Sequence, residues 1–317
     1  MIKSKKREAL KMVKFSVFAD LHHYPKVFFS DAENRLEKIK QRAVAENVDF
    51  VIHCGDMLHR PSLEKEFLAK YKSFGLPTYH CIGNHECEDD IKNVLEAFEL
   101  EKGYYYFDLK NYRFIVLDLN YMLIDGEAVH YTNGNFFGRP ASAQLVTLPA
   151  EQKAWLKETV ENSPFPCVII SHQSLEREHN GMSEKERNEI LSLLGELNKD
   201  GRKILLVING HHHCDGIKTH SGIPFLDMNS ATYFWVDNPH QEYPKMLIEK
   251  YGLANYTLVY NEPLSAIITI DENGITIKGS GSDFFMDVGP MEACGDDLDI
   301  DKRKITPKIR SAKIDFI

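Results

Sequence analysis

Five short motifs carry side chains that could bind metal, each at the end of an apolar, strand-like run. In order they read Asp20-Leu21-His22, Gly55-Asp56, Gly83-Asn84-His85-Glu86, Ser171-His172 and Gly210-His211-His212-His213. Together they offer two carboxylates, one amide oxygen and several imidazoles, the hard-to-borderline donor set that suits Mn, Fe or Zn. Asp20 and His22 are two residues apart, so an extended backbone would turn both to one side. His211 and His213 repeat that spacing, with His212 pointing away. Glycine before Asp56 permits a tight turn and close backbone approach, and a carboxylate there is placed to bridge two ions. Any one fragment is commonplace. All five in this order make a two-metal hydrolase the leading reading.

The elements that must position these residues alternate. The sequence predicts strands at 15–19, 48–54 and 78–82 and helices at 30–46, 63–74 and 89–100, the first helix opened by a Ser30-x-x-Glu33 capping box. This rhythm implies an α/β fold with a largely parallel sheet, whose catalytic loops gather at the carboxyl ends of the strands. The first three motifs fall there. A hairpin around Lys110-Asn111 follows, then a stretch from Asn120 to Leu148 without clear periodicity, read as a functional loop. Pro149 suits the first turn of a helix to about Glu161, and Ser183-x-x-Glu186 opens another to about Asn198. Runs 167–170 and 204–208 have the continuous apolar pattern of strands buried on both faces. Strands at 224–228, 266–270 and 275–278 follow, the last two meeting at Asp271-Glu272-Asn273-Gly274. One core domain over 12–280 is expected, with a tail at 281–317 packed on it or extending it.

Composition narrows the classes. The chain has 317 residues, 43% hydrophobic and 27% charged, the balance of a globular protein with a substantial core. No apolar run approaches the ~20 residues that span a bilayer. The basic start at 1–8 is followed by a lysine-broken stretch rather than an apolar signal core, so a cytoplasmic location is expected. A net charge of −9 disfavours long polyanions, nucleic acid and anionic membrane included, but not small phosphate esters near bound cations. Six cysteines without a CxxC pair read as reduced thiols in that setting, and Cys87 and Cys214 as neighbours of the metals without a ligand role. Histidines 53, 80, 130, 179, 220 and 240 match no motif and read as structural.

The order D-x-H, G-D, G-N-H-[D/E], H, G-H-x-H resembles that of the calcineurin-like metallophosphoesterase superfamily, over roughly Phe15 to His213. The G-H-x-H form and the length look most like its bacterial cyclic-nucleotide phosphodiesterase branch. The resemblance implies a four-layer α/β/β/α sandwich with two metals at the carboxyl ends of the central strands. It gives Asp20, His22 and His213 to one metal and Asn84, His172 and His211 to the other, with Asp56 bridging. It further implies attack on phosphorus by a metal-bridging hydroxide, with His85 protonating the leaving oxygen and Asn84 also meeting substrate. The substrate expected is a small phosphodiester, cyclic nucleotide or phosphomonoester.

The chain also departs from the pattern. Protein phosphatases of the superfamily carry G-D-x-x-D-R, whose second aspartate pairs with the catalytic histidine. Here His59 stands at that position, which removes the pairing, and His23 follows the first motif. Both histidines are candidates to face substrate. Two other classes compete. A non-catalytic binding module would lack ligands, whereas all seven are present. A nuclease would need a DNA-tracking surface that an acidic chain does not offer.

Overall fold

The computed structural model describes residues 11–139, 145–177 and 182–316. The basic start of the chain, Pro140 and His179 lie outside the described residues. The first half opens with β1 (Val13–Phe18), α1 (Ala32–Ala45), β2 (Phe50–Cys54), α2 (Lys65–Lys72), β3 (Thr78–Cys81) and α3 (Ile91–Phe98). Two hairpins come next, β4 (Tyr105–Leu109) with β5 (Tyr112–Val116) and β6 (Tyr121–Ile124) with β7 (Glu127–His130). Then follow α4 (Ala150–Glu161), β8 (Cys167–Ile170), α5 (Glu184–Leu197), β9 (Ile204–Asn209), β10 (Gly216–His220) and β11 (Ile223–Asp227). The chain continues through β12 (Tyr233–Trp235), α6 (Lys245–Lys250), β13 (Thr257–Val259), β14 (Ala266–Ile270), β15 (Gly274–Lys278), α7 (Pro290–Cys294) and β16 (Ala312–Asp315).

Two six-stranded sheets run β16-β15-β14-β1-β2-β3 and β10-β11-β9-β8-β5-β4. β1, β2 and β3 pair in parallel, as do β5, β8, β9 and β11. The alternation of side chains assigns the layers. Phe15, Phe50, Phe114, Ile170 and Ile208 point between the sheets, where the Phe15 and Phe50 rings stack 4.9 Å apart. Their neighbours Phe18 and Val51 face outward onto Leu36, Ile39 and Phe67 of α1 and α2. Ile115, Ile169 and Val207 face outward onto Leu156, Ile190 and Leu194 of α4 and α5. The result is the expected α/β/β/α sandwich. Its parallel strands bring the loops after β1, β2, β3, β8 and β9 to one edge. Among the described residues no helix is long and apolar enough to cross a membrane.

Local chemistry accounts for most boundaries. Lys110 and Asn111 both take positive φ, as a two-residue hairpin turn of the right hand requires. Ser183 caps α5 by accepting from the Glu186 amide at 3.2 Å. The capping box expected at Ser30 does not form. Asp31, in the left-handed region, caps α1 instead by accepting from the Asn34 amide, because a 3₁₀ turn over Pro25–Ser30 uses up Ser30. The stretch after Asn120, read as loop, contains the β6–β7 hairpin. Its turn is Asp125-Gly126, both at positive φ, a signal present in the sequence and outweighed by weak alternation.

Residues 281–316 are bound into the sandwich. β16 pairs antiparallel with β15, and Ile309 is buried in the core between the sheets. Arg177 is wholly buried between Asp299 and Asp301, and Arg303 lies between Asp227 and Glu176.

Candidate metal centre

The five motif loops meet at the carboxyl edge of the parallel strands. Asp20 and His22 follow β1, and their amides donate to the Gly55 and Asp56 carbonyls at 3.0 and 2.9 Å. This lacing contradicts the simple extended geometry expected for the pair. Asp20, His22, Asp56, His211 and His213 all lie at φ between 51° and 73°, in the left-handed region. Non-glycine residues there carry strain that surrounding structure must hold.

Glycines leave room for the polar groups. At Gly55, whose φ is +86°, a Cβ would sit 2.4 Å from His172 Nδ1. At Gly83 it would sit 2.2 Å from Asp56 Oδ1. Glu86, buried beneath the site, accepts from the amides of Gly83, Asp56, Met57 and Leu58 at 2.7–3.3 Å, locking two motif loops together. Burial pushes its carboxyl up to about 7 against those four donors.

Among the described residues three groups of ligand atoms result. Two include a carboxylate, Asp20, His22 and His213, and Asp56, His172 and His211, and the third is His22, His59 and His85. His213 Nδ1 lies 2.6 Å from the Tyr233 carbonyl, so Nδ1 carries the proton and Nε2 is bare. That bare nitrogen faces His22 Nε2 at 3.1 Å and Asp20 Oδ1 at 3.3 Å. Likewise His172 Nδ1 donates to the Cys54 carbonyl at 2.7 Å. Its Nε2 then meets Asp56 Oδ2 at 3.0 Å, Asn84 Oδ1 at 3.2 Å and His211 Nδ1 at 3.3 Å. Acceptors converge on acceptors, an arrangement that calls for positive charge between them. A proton answers part of that demand: burial opposes it, but Asp56 raises His172 to about 9. Burial with His172 alongside lowers His211 to about 3, leaving it neutral and able to ligate. The donor set, buried and convergent, fits divalent metal.

His85 sits at the mouth of the cluster, its side chain 19% exposed. Its amide donates to Asp56 Oδ1 at 2.8 Å, its Nε2 lies 4.0 Å from Asp56 Oδ2, and its Nδ1 lies 2.7 Å from Glu88 Oε1. Burial would depress its pKa, but Asp56 and Glu88 raise it. The carboxylate partner that the sequence lacked at position 59 is therefore present, supplied by Glu88. An i,i+3 spacing to His85 within a 3₁₀ turn was the available signal. His59 joins the cluster, its Nε2 3.2 Å from His22 Nδ1. His23 does not: its ring stacks on Phe67 at 4.0 Å and its Nε2 pairs with Glu64 at 3.2 Å. Cys87 and Cys214 are buried outside both ligand groups.

Aromatic residues lie beside the centre, Tyr24 and Trp235 outside the motifs and Phe137 within the stretch read as a functional loop. Tyr24 stacks on His59 at 3.9 Å, Trp235 lies 6.0 Å from the His22 ring, and the exposed Phe137 lies 6.3 Å from His85. Elsewhere His53 and His80 contact each other at 2.9 Å in the core, and His130 pairs with Asp118 at 2.8 Å.

The sequence model of the calcineurin-like phosphoesterases matches residues 13–215. No curated protein matches the chain. Among solved structures, a dimetal phosphatase from Danio rerio superposes with a TM-score of 0.59 at 15% identity, over 86% of this chain and 96% of that one. PhoD gives 0.53 at 12% identity, over 86% and 66%. GAP50, the anchor in the inner membrane complex of Plasmodium, gives 0.52 at 12%, over 87% and 85%. At such identities these likenesses are of fold. With the family match over most of the sandwich and the two ligand groups at its edge, the chain belongs to the calcineurin-like phosphoesterase family, the metal-dependent phosphoester hydrolases.

Proposed function

We propose that the chain is a binuclear phosphohydrolase acting on a small phosphate ester, a phosphodiester, cyclic nucleotide or monoester. Asp20, His22 and His213 would hold one ion, Asn84, His172 and His211 the other, with Asp56 between them. Mn, Fe or Zn suits these donors. The observation that carries the reading is the convergence of His213 Nε2 on Asp20 and of His172 Nε2 on Asp56, which sets buried imidazole nitrogens against carboxylates at 3.3 and 3.0 Å. Two such ions supply Lewis acidity toward phosphate and lower the pKa of bound water toward neutrality.

The protein's own groups do the rest. The Tyr233 and Cys54 carbonyls fix the tautomers of His213 and His172, so neither ring needs to reorganise. His85, its Nδ1 held by Glu88, turns Nε2 toward the cluster and gives its proton to the leaving oxygen. Phe137, beside His85, and Trp235, beside His22, provide apolar surface for the organic part of the ester. Asn84 is close enough to the cluster to touch a phosphate oxygen as well as a metal.

The test is hydrolysis of bis-p-nitrophenyl phosphate and p-nitrophenyl phosphate by metal-stripped protein, with Mn²⁺, Fe²⁺, Zn²⁺ or Mg²⁺ restored. Turnover should return with metal and be absent from Asp56→Ala. Equal turnover by the variant would refute the binuclear assignment.

A further inference from the structure

We propose that Glu88 is a positioning residue with two clients, holding His85 directly and the ligand His22 through His59. The role rests on the phosphohydrolase reading above and goes beyond it. Glu88 belongs to none of the five motifs; it closes the 3₁₀ turn that follows His85.

One oxygen makes both contacts. Glu88 Oε1 lies 2.7 Å from His85 Nδ1, and His59 Nδ1 approaches the same oxygen obliquely at 2.8 Å. His85 Nδ1 donates to that oxygen, whereas the His59 contact is off the line of a hydrogen bond and acts through charge. Beside a carboxylate at 2.8 Å a nitrogen bearing a proton is favoured over one bearing a lone pair, so both Nδ1 atoms carry protons. His59 Nε2 is then bare. It stands 3.2 Å from His22 Nδ1, which must be the donor of that pair. This leaves His22 Nε2 bare toward His213 and Asp20, the tautomer a metal ligand needs. A single carboxylate thus sets the protons of three imidazoles.

Packing keeps the chain of contacts in register. The side chains of Glu88, His59 and His22 are 11%, 5% and 0% exposed. Tyr24 lies flat on the His59 ring, 8° from parallel. The Glu88 amide donates to the His85 carbonyl at 3.2 Å, so turn geometry fixes the distance between them. Where protein phosphatases of the fold carry an aspartate, His59 takes the place of the carboxylate and relays the one from Glu88. Orienting groups behind metal ligands are typically worth about 10–100-fold in metal affinity or activity.

The test compares wild type, Glu88→Gln and His59→Phe. Ring ¹⁵N spectra of the metal-free proteins should show His22 and His59 as Nδ1–H tautomers in wild type, with Glu88→Gln disturbing both. Zn²⁺ affinity, from chelator competition, should fall about 10–100-fold in both variants. Glu88→Gln should also lose kcat on an alkyl ester of p-nitrophenyl phosphate, measured as alcohol release, with KM held. His59→Phe should keep the wild-type ratio of alkoxide to nitrophenolate release. Unchanged ¹⁵N shifts and Zn²⁺ affinity in Glu88→Gln would overturn the relay. A wild type that takes up no metal would sink the phosphohydrolase reading instead, while the ¹⁵N comparison still decides the relay.

Discussion

Five of the seven candidate ligands occupy left-handed backbone, a conformation costing of order 1–3 kcal/mol each for non-glycine residues. The amide ladder onto the Gly55 and Asp56 carbonyls and the fan of donors onto Glu86 hold them there. Residue types were legible in the sequence because ligand chemistry admits few side chains. Backbone conformation was not, since spacing alone cannot separate an extended pair from one laced against a neighbouring loop. His23 shows the same limit: its position beside the first motif suggested substrate, while its stacking on Phe67 and its pairing with Glu64 left no trace in the motif. At this scale His85 gives the sharpest prediction. His85→Ala should lose about 10²–10⁴-fold in kcat on an alkoxide leaving group and far less on p-nitrophenolate, with metal content unchanged. Loss of metal along with activity would make His85 a ligand rather than an acid.

Strand–helix alternation was readable because each element is buried on a defined face, and the carboxyl ends of the strands located the motifs. The β6–β7 hairpin left only its Asp125-Gly126 turn to read, because what anchors it is a polar cluster around Asp118 rather than a clear alternation. Asp118 accepts from the Asn120 amide at 3.0 Å and faces His130 Nε2 at 2.8 Å, while Gln152 clasps the Asp118 backbone. Burial lowers the pKa of His130, but Asp118 raises it above its ordinary value. A histidine raised on folding contributes stability that is complete below about 6.5 and fades as pH rises through the folded-state pKa. The Tm gap between metal-free wild type and His130→Gln should therefore be widest at mildly acidic pH and shrink toward alkaline pH. A gap that widens as pH rises would contradict the assignment.

Across the whole molecule, the final residues close the sandwich electrostatically. Arg303 reaches Asp227 and Glu176, both almost fully buried, from the tail that was expected to pack on the domain or extend it, without partners that the sequence could name. Pairing across 76 and 127 positions left no local trace to read. Arg303→Ala removes the cation beside buried Asp227, while Glu176 keeps Lys218 and His220, and should cost about 3–5 kcal/mol in urea unfolding. A cost below about 1 kcal/mol, the range of exposed pairs, would show the network to be solvated. The same edge of the sandwich that this segment helps to close presents the two ligand groups, and the account stands or falls on their joint occupancy. The most direct measurement is titration of metal-stripped protein with Mn²⁺, following bound metal and bis-p-nitrophenyl phosphate turnover together. Turnover that rises until two ions are bound per chain, and stops rising there, is the result expected. Full activity at one ion per chain, or two bound ions with no turnover on this or any other phosphate ester, would contradict it.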